Sequence, residues 1–156
     1  MTWRRRIEPL VRPFFQTYGW LTRGATLGVR GLVLDGEGRV LLLEHTYIKG
    51  WYMPGGGVER GETAEHSLAR EMVEEAGVEI IGRPVLLSVH DNRRIFPGDH
   101  VLIYRIDRWR QVKATQHGEI SRIGFFAPDA LPDGTTRATR NRIKEALEGA
   151  ETDLMW

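Results

Sequence analysis

Two stretches of the chain place apolar residues at the spacing of an amphipathic helix. In residues 64–76, which hold no glycine or proline, a rotation of about 100° per residue puts the apolar side chains on one half of a helix. These side chains are Ala64, Leu68, Ala69, Met72, Val73 and Ala76. Thr63 suits the N-cap and Gly77 the C′ position, so the pattern predicts a helix from Ala64 to Ala76. A second amphipathic helix is predicted over residues 137–148.

Shorter apolar runs predict β-strands. Residues 25–34 are rich in valine, leucine and glycine without a helical period, and a turn leads from them into residues 39–44, so a hairpin is predicted. The unbroken apolar run from Val40 to Leu43 is typical of a strand covered on both faces. Further strands are predicted at 51–53, 85–90, 100–106 and 120–126. Because strands and helices mix without strict alternation, the pattern predicts the α+β class.

A glycine-rich loop leads into the first predicted helix. Residues 54–57 are Pro-Gly-Gly-Gly, which favours a loop and lets a ligand approach the backbone closely. On the helix, Glu71, Glu74 and Glu75 fall within an arc of about 100°. Carboxylates this close repel and raise one another's pKa, so a divalent cation would explain the cluster. Hard oxygen ligands favour Mg²⁺ or Mn²⁺.

The same three glutamates also fit a solvated helix face. In that case Arg70 would pair with Glu74 one turn further on, as charged helix surfaces commonly do. Because a glycine-rich loop precedes the helix, we favour a metal site over a solvated helix face.

The spacing of these residues resembles the Nudix box of the Nudix hydrolases at every position. The matching pattern is Gly56-x5-Glu62-x7-Arg70-Glu71-Met72-x-Glu74-Glu75-x-Gly77-Val78. The resemblance implies the family's fold, an α/β/α sandwich in which a mixed β-sheet lies between helices. It also implies the family's activity, which is the hydrolysis of a nucleoside diphosphate linked to another moiety by means of divalent metal.

The resemblance further implies roles for individual residues. The implied metal ligands are Glu71, Glu74, Glu75 and the Gly56 carbonyl. Arg70 would orient the carboxylates, and Glu62 would support the inner ligands through water.

The predicted reaction is direct attack of water on phosphorus, with no covalent intermediate. Bound Mg²⁺ would lower the pKa of that water, and one carboxylate would accept its proton. Glu74 is the first candidate for this general base. Glu119 is the second, because it stands just before the strand predicted at 120–126, where in many Nudix enzymes a glutamate reaches the metals or serves as the base.

Residues outside the box are candidates for binding the rest of the substrate. The aromatic side chains of Tyr47, Trp51 and Phe96 could stack on a base, although an aromatic residue beside a strand is more often part of the core. Arg93 and Arg94 lie in a polar, basic loop that could hold phosphate or ribose. The alternative for this loop is a solvated turn.

The sequence leaves several substrates open. The ADP-ribose branch of the family usually carries a proline where this chain has Arg94, and the dinucleoside polyphosphate branch a tyrosine where it has Phe96. Similarity around the box leans toward ADP-ribose-like compounds, sugar nucleotides and nucleoside triphosphates. One alternative is removal of pyrophosphate from RNA 5′ ends, with the strand held by arginines at 4–6 and 93–94. Another is a non-catalytic nucleotide-sensing module, but such modules typically lose box glutamates and this chain keeps them.

Composition narrows the class of protein. With 156 residues, 41% hydrophobic and 28% charged, the chain suits one globular domain, expected over residues 24–156. The absence of cysteine excludes disulfides and thiol catalysis and suits a reducing compartment, so a cytoplasmic location is expected. A formal net charge of +1 argues against electrostatic capture of DNA, and no apolar run approaches a membrane span. The expected partner is a nucleotide substrate, and a homodimer is left open.

Residues 1–23 form an extension ahead of this domain. Apolar residues alternate with arginines there, which favours a short amphipathic helix interrupted by Pro9 and Pro13. We expect this extension to pack against the domain or against a second subunit. A membrane-surface or targeting role is the alternative.

Overall fold

Eight strands and two helices make up the part of the chain that the computed structural model describes, residues 24–115 and 118–156. In chain order the strands are β1 (Thr26–Val33), β2 (Val40–His45), β3 (Trp51–Tyr52), β4 (Val78–Ile80), β5 (Val85–Asp91), β6 (Asp99–Ile106), β7 (Trp109–Gln111) and β8 (Ile120–Phe126). Between β3 and β4 lies helix α1 (Ala64–Ala76), and after β8 comes helix α2 (Arg137–Glu148). Neither of these helices is long and apolar enough to cross a membrane. The expectation for residues 1–23 lies outside the described residues.

Helix α1 begins and ends where the sequence predicts. The Thr63 side chain accepts a hydrogen bond from the His66 backbone N–H at 3.1 Å, which caps the first turn. Gly77 ends the helix with a left-handed φ of +61°, a conformation that favours glycine. The helix and both of its caps are therefore confirmed.

Strand β6 is the centre of a mixed sheet. It pairs in parallel with β1 along the whole of both strands and antiparallel with β5. Strand β2 lies between β3 and β8 in a separate antiparallel sheet, and β4 pairs with β7. The strands predicted at 85–90, 100–106 and 120–126 are confirmed, whereas β4 and β7 are short strands that the pattern does not indicate.

The predicted hairpin of residues 25–34 and 39–44 is wrong. Strands β1 and β2 lie in different sheets and are linked by an isolated antiparallel bridge between Leu34 and Val40. The turn itself does form, because the Asp35 carboxylate accepts hydrogen bonds from two backbone N–H groups of the turn, both at 2.9 Å. A local turn signal indicates that the chain reverses, but the pairing of β1 with β6 depends on contacts far along the sequence.

Two hydrophobic clusters lie on opposite faces of the mixed sheet, because alternate residues of a strand point to opposite sides. The first cluster packs one face of β1 and β6 against α1 and includes Val29, Val33, Leu102, Ile106, Leu68 and Met72. The second packs the other face against α2 and includes Leu32, Leu34, Val101, Ile103 and Ile143. The sheet therefore lies between the two helices, and the predicted α/β/α sandwich of the α+β class is confirmed.

Strand β2 contributes to both clusters. Leu41 belongs to the first cluster, and Val40 and Leu42 belong to the second. The prediction that this strand is covered on both faces is therefore confirmed. On β1, a Cβ added to Gly31 would lie 2.7 Å from the Met72 sulfur, so glycine at this position lets α1 pack closely on the sheet.

Leu68 and Leu154 provide a matched test of the core. Leu68 on α1 is 0% exposed, and Leu154 is 75% exposed. Because Leu68→Ala leaves a cavity, we expect it to lower the free energy of unfolding by about 2–5 kcal/mol. Leu154→Ala should lower it by less than about 0.5 kcal/mol. Urea unfolding measures both values, and equal losses would contradict the burial assigned to α1.

Candidate active site

The glycine-rich loop between β3 and α1 is held by strand β1. The Val29 N–H donates to the Gly56 carbonyl and the Gly31 N–H donates to the Pro54 carbonyl, both at 2.9 Å. A carbonyl oxygen has two lone pairs. The hydrogen bond from Val29 therefore leaves the Gly56 carbonyl one lone pair for a ligand.

Gly56 and Glu71 approach so closely that a side chain at position 56 would displace the Glu71 carboxylate. A Cβ added to Gly56 would lie 2.4 Å from Glu71 Oε1 and 2.5 Å from Glu71 Cδ. The Glu71 carboxylate thus packs directly against the loop backbone, so two of the predicted metal ligands are neighbours. Burial raises the pKa of Glu71, and the hydrogen bond from Arg70 partly offsets this effect.

Glu75 is buried between α1 and the same loop. It is 8% exposed, and its Oε2 accepts a hydrogen bond from the Gly55 N–H at 2.8 Å. Its Oε1 lies 3.9 Å from His45 Nε2. Burial disfavours the charged carboxylate and raises the pKa of Glu75 to about 7, although the Gly55 N–H favours the charged form. Glu75 is therefore not part of a solvated helix face.

Arg70 joins three carboxylates. Its Nε and Nη2 donate to the two oxygens of Glu62, both at 3.1 Å. Its Nη1 donates to Glu71 at 2.8 Å and to Glu74 at 3.2 Å. The hydrogen bonds from Arg70 lower the pKa of Glu62. These contacts are those expected of a residue that orients the carboxylates.

A cavity of about 480 Å³, the carboxylate cavity, brings the glutamates of α1 together with Glu119. Its acidic lining residues are Glu59, Glu71, Glu74, Glu75 and Glu119. Arg30 and Arg70 also line it. The Glu119 carbonyl accepts a hydrogen bond from the Thr46 N–H at 2.8 Å, which ties the start of β8 to the loop after β2. Glu119 therefore stays a candidate for the general base.

The carboxylate cavity fits a hard divalent cation. Within residues 24–115 and 118–156, no three acidic or histidine side chains already converge at metal-ligating distances, and Glu71 and Glu74 are turned toward Arg70 instead. The cavity nevertheless holds more acidic than basic groups, and burial raises the pKa of Glu71 and Glu75. Such carboxylates lack sufficient countercharge, and their oxygens are ligands that Mg²⁺ and Mn²⁺ prefer.

A second cavity of about 560 Å³, the apolar-walled cavity, adjoins the first. Arg30 and Gly56 line both cavities. The remaining walls come from the starts of β1 and β6, the loop before α1, the turn between β5 and β6, and Trp156. The carboxylate cavity could therefore hold a charged group, and the apolar-walled cavity beside it a bulkier, less polar group of the same ligand.

The aromatic residues predicted to stack on a base have different positions. Tyr47 lines the carboxylate cavity and Phe96 lines the apolar-walled cavity. Trp51 lines neither of these cavities, because it is 6% exposed and packs in the core against Phe126, with 5.0 Å between ring centroids. The predicted role of Trp51 in stacking on a base therefore finds no support in its position.

Arg93 and Arg94 lie on the turn between β5 and β6 and line neither of these cavities. Arg93 Nε donates to the Asp91 carboxylate at 2.6 Å. The hydrogen bonds from Arg93 lower the pKa of Asp91 to about 2. The charge of Arg93 is thus paired with Asp91 on an exposed turn, which agrees with the alternative of a solvated turn.

Arg30 and His45 are site residues that the sequence pattern does not predict. Arg30 Nη1 donates to the Gly55 carbonyl at 2.5 Å and to the Met53 carbonyl at 3.3 Å. His45 is buried at the end of β2, and burial and the charge of Arg30 lower its pKa, so the imidazole is neutral near pH 7. Arg30 is the single charged residue in the sequence of β1. That isolated charge could have marked it as a candidate site residue.

Comparison with known proteins identifies the class that this fold and site define. The family model described as the NUDIX domain matches residues 24–147. The chain therefore belongs to the Nudix family, and it is a pyrophosphohydrolase of that family.

Similar proteins and a similar solved structure agree with this assignment. A MutT-like protein of Streptomyces ambofaciens is 29% identical over 125 residues, which cover 80% of this chain and 79% of that protein. An RNA pyrophosphohydrolase of Dinoroseobacter shibae is 42% identical over 64 residues, which cover 39% of this chain and 40% of that protein. A solved structure, a MutT Nudix hydrolase from Burkholderia pseudomallei, has a TM-score of 0.67 and 26% identity, and the match covers 78% of this chain and 97% of that one.

Gly56 and Gly57 provide a matched test of the contact between the loop and α1. Neither glycine has a positive φ, and a Cβ on Gly57 would meet nothing within 4 Å. Because Gly56→Ala moves the Glu71 carboxylate, a predicted metal ligand, away from the loop, we expect it to weaken the binding of Mg²⁺. Gly57→Ala should bind Mg²⁺ like the parent protein. Calorimetric titration with Mg²⁺ is the measurement, and an unchanged Kd in Gly56→Ala would contradict the contact.

Proposed function

We propose that the protein hydrolyses the diphosphate of a nucleoside diphosphate linked to another moiety, in a reaction that depends on Mg²⁺ or Mn²⁺. The observation that carries the proposal is the convergence of the helix glutamates and Glu119 on one cavity, which shares Arg30 and Gly56 with a second cavity. Members of the Nudix family generally use a divalent metal. The charge of the carboxylate cavity agrees with that use.

The residues around the carboxylate cavity prepare it for metal and diphosphate. The proposed metal ligands are Glu71, Glu74, Glu75 and the Gly56 carbonyl. When bound, the cation would offset the charge of the diphosphate and lower the pKa of the attacking water. The Gly55 N–H holds the Glu75 carboxylate in place. Glu62 binds the guanidinium of Arg70 through two hydrogen bonds, so that Arg70 keeps a fixed direction toward the ligands.

Arg30 is placed to bind the phosphate groups. A guanidinium carries five N–H donors in a planar fork, which suits two oxygens of one phosphate. Arg30 Nη1 is engaged with the carbonyls of Gly55 and Met53, while its other nitrogens have no hydrogen-bond partner among the described residues. Because Arg30 lines both cavities, its free donors lie where a diphosphate would join the two halves of the substrate.

We assign the general base to Glu74, with Glu119 as the second candidate. The Glu74 side chain is 34% exposed, against 13% for Glu71 and 6% for Glu75. Glu74 therefore has the best access to water among the three helix carboxylates. Glu119 approaches the same cavity from the start of β8.

The proposed substrate classes are nucleoside triphosphates, sugar nucleotides and ADP-ribose-like compounds. The apolar-walled cavity has the volume of a small-molecule pocket and lies beside the carboxylates, as a nucleoside subsite requires. The partial similarity to an RNA pyrophosphohydrolase keeps RNA 5′ ends as an alternative. Arg93 and Arg94 line neither cavity, so a small nucleotide is favoured. The retained helix glutamates disfavour a non-catalytic sensing module.

The cellular location of the enzyme and its partners stay predictions. The absence of cysteine favours the cytoplasm. The net charge of +1 argues against DNA as a partner, and a homodimer is left open.

The first test is an assay of a nucleotide panel with Mg²⁺, scored by release of phosphate or nucleoside monophosphate. We expect hydrolysis of at least one nucleotide, and we expect chelator to abolish it. Glu75→Gln keeps the size of the side chain but removes its charge, so it should lower kcat by orders of magnitude.

Glu65→Gln is the matched control for this assay. Glu65 lies on the same helix, but it accepts hydrogen bonds from Arg83 at 3.1 and 3.0 Å and lines neither cavity. Its substitution should therefore change kcat little. A comparable loss in Glu65→Gln and Glu75→Gln, or a panel without any hydrolysed nucleotide, would contradict the proposed function.

The second test separates the two candidates for the general base. If Glu74 is the base, Glu74→Gln should remove the acidic limb of the pH–rate profile, and Glu119→Gln should have a mild effect. A base acts in the transition state, so its loss should lower kcat more than substrate affinity. Because Glu74 is also a proposed metal ligand, the variants are compared at saturating Mg²⁺. The assignment is wrong if Glu119→Gln loses most of kcat while it still binds Mg²⁺ and substrate.

A further inference from the structure

The residues that follow α2 return to the mixed sheet, beyond the region 24–147 that the family model matches. At the end of β5, the Asp91 N–H donates to the Leu154 carbonyl at 2.8 Å, and the Trp156 N–H donates to the Asp91 carbonyl at 3.0 Å. These hydrogen bonds form a parallel bridge. Residues 153–156, the returning segment, thus lie beside β5 like a short additional strand.

A buried ion pair on α2 holds the returning segment. Arg142 is 2% exposed, and its Nη2 donates to Glu145 Oε1 at 2.5 Å. The same Glu145 oxygen accepts a hydrogen bond from the Asp153 N–H at 3.1 Å, and Arg142 Nη1 donates to the Met155 carbonyl at 2.8 Å. Burial of an ion pair is unfavourable unless further hydrogen bonds satisfy its groups. Here some of those hydrogen bonds go to the backbone of the returning segment and hold it in place, although Arg142 Nε and Glu145 Oε2 have no hydrogen-bond partner among the described residues.

The indole of Trp156 lies between this anchor and the apolar-walled cavity. Its ring centroid is 6.1 Å from that of the buried His90, and the Arg142 guanidinium carbon is 5.9 Å from the indole centre. Trp156 is half-buried and packs against the second hydrophobic cluster. It also lines the cavity, together with Phe96 and Pro97. The ring of Trp156 is thus held by contacts with the protein, and the residue borders the cavity.

We propose that Trp156 is a specificity-determining residue that contacts the planar base of the nucleotide, and that the returning segment positions it. This proposal rests on the function proposed above. Because the cavity that Trp156 lines shares Arg30 and Gly56 with the carboxylate cavity, a substrate with its diphosphate at the carboxylates has its nucleoside beside Trp156.

The chemistry of the cavity wall agrees with a base. Aromatic side chains bind nucleobases by stacking, whatever the base, whereas a phosphate chain without a base has no face to stack. Asn92 is nearly buried in the same wall, where its amide donates to Asp99 at 2.7 Å. A mainly apolar wall with a few fixed polar groups is typical of small-molecule subsites. The substrate class is therefore a diphosphate that carries a base.

Calorimetric titration of the full chain in Mg²⁺ tests the role of Trp156. The probes are AMP, GMP, CMP and UMP, which carry a base, and inorganic pyrophosphate, which does not. In Trp156→Ala the Kd of the monophosphates that bind the parent protein should rise about tenfold or more, and Trp156→Phe should restore most of the affinity. The Kd of pyrophosphate should stay the same in all variants. Leu154→Ala, in the same segment but with an exposed side chain, should bind like the parent protein.

Kinetics and a second variant separate positioning from general stability. For the nucleotide that the parent enzyme hydrolyses best, Trp156→Ala should raise KM and leave kcat nearly unchanged, at a temperature where the variant is still folded. Its melting temperature should fall, because the indole packs against the second hydrophobic cluster. Glu145→Gln weakens the anchor of the segment, so it should raise the same Kd values. It should add no further loss in the Trp156→Ala background, because both changes act through one side chain.

Several results would overturn the proposal. One is an unchanged Kd for every monophosphate in Trp156→Ala, and another is an equal loss of affinity for pyrophosphate. Failure of all four monophosphates to bind the parent protein would also overturn it. The proposed hydrolysis is tested separately, by the activity of the parent enzyme on the nucleotide panel and by the Glu75→Gln and Glu65→Gln variants.

Discussion

Contact between buried carboxylates and the backbone of a glycine-rich loop is the constraint on which the rest of the site depends. A Cβ at Gly56 would displace the Glu71 carboxylate from the loop. The Gly55 N–H holds Glu75 where burial raises its pKa to about 7. Carboxylates in such surroundings interact strongly with a nearby cation, because little water screens the charges. The loop therefore both fixes the direction of the glutamates and makes a divalent cation favourable among them.

Strand β1 connects this constraint to the fold. One edge of β1 pairs with β6, and backbone N–H groups of Val29 and Gly31 hold the glycine-rich loop. The absence of a side chain at Gly31 lets α1 approach the sheet. Arg30, between these two residues, lines both cavities. Strand β1 thus positions the loop, the glutamate helix and the neighbouring cavity relative to one another. The geometry of the site therefore depends on the fold of the sheet and of α1.

Short-range spacing allowed the helix of the box, its caps and the cluster of three glutamates to be predicted from the sequence. The features that were not predicted depend on contacts between distant segments. A turn after residue 34 indicated a hairpin, yet the sheet pairs β1 with β6. The aromatic side chain of Trp51 suggested stacking on a base, yet Trp51 lies in the core. Trp156 could not be placed, because its position depends on the buried Arg142 and on the end of β5.

The central claim is that the glutamates of α1 hold a divalent cation beside the glycine-rich loop. Diffraction from crystals of the full chain soaked in Mn²⁺, measured at the manganese absorption edge, tests this claim most directly. We expect an anomalous peak bounded by the carboxylates of Glu71, Glu74 and Glu75 and by the Gly56 carbonyl. A peak elsewhere, or no peak in crystals of protein that hydrolyses nucleotides with Mn²⁺, would contradict it.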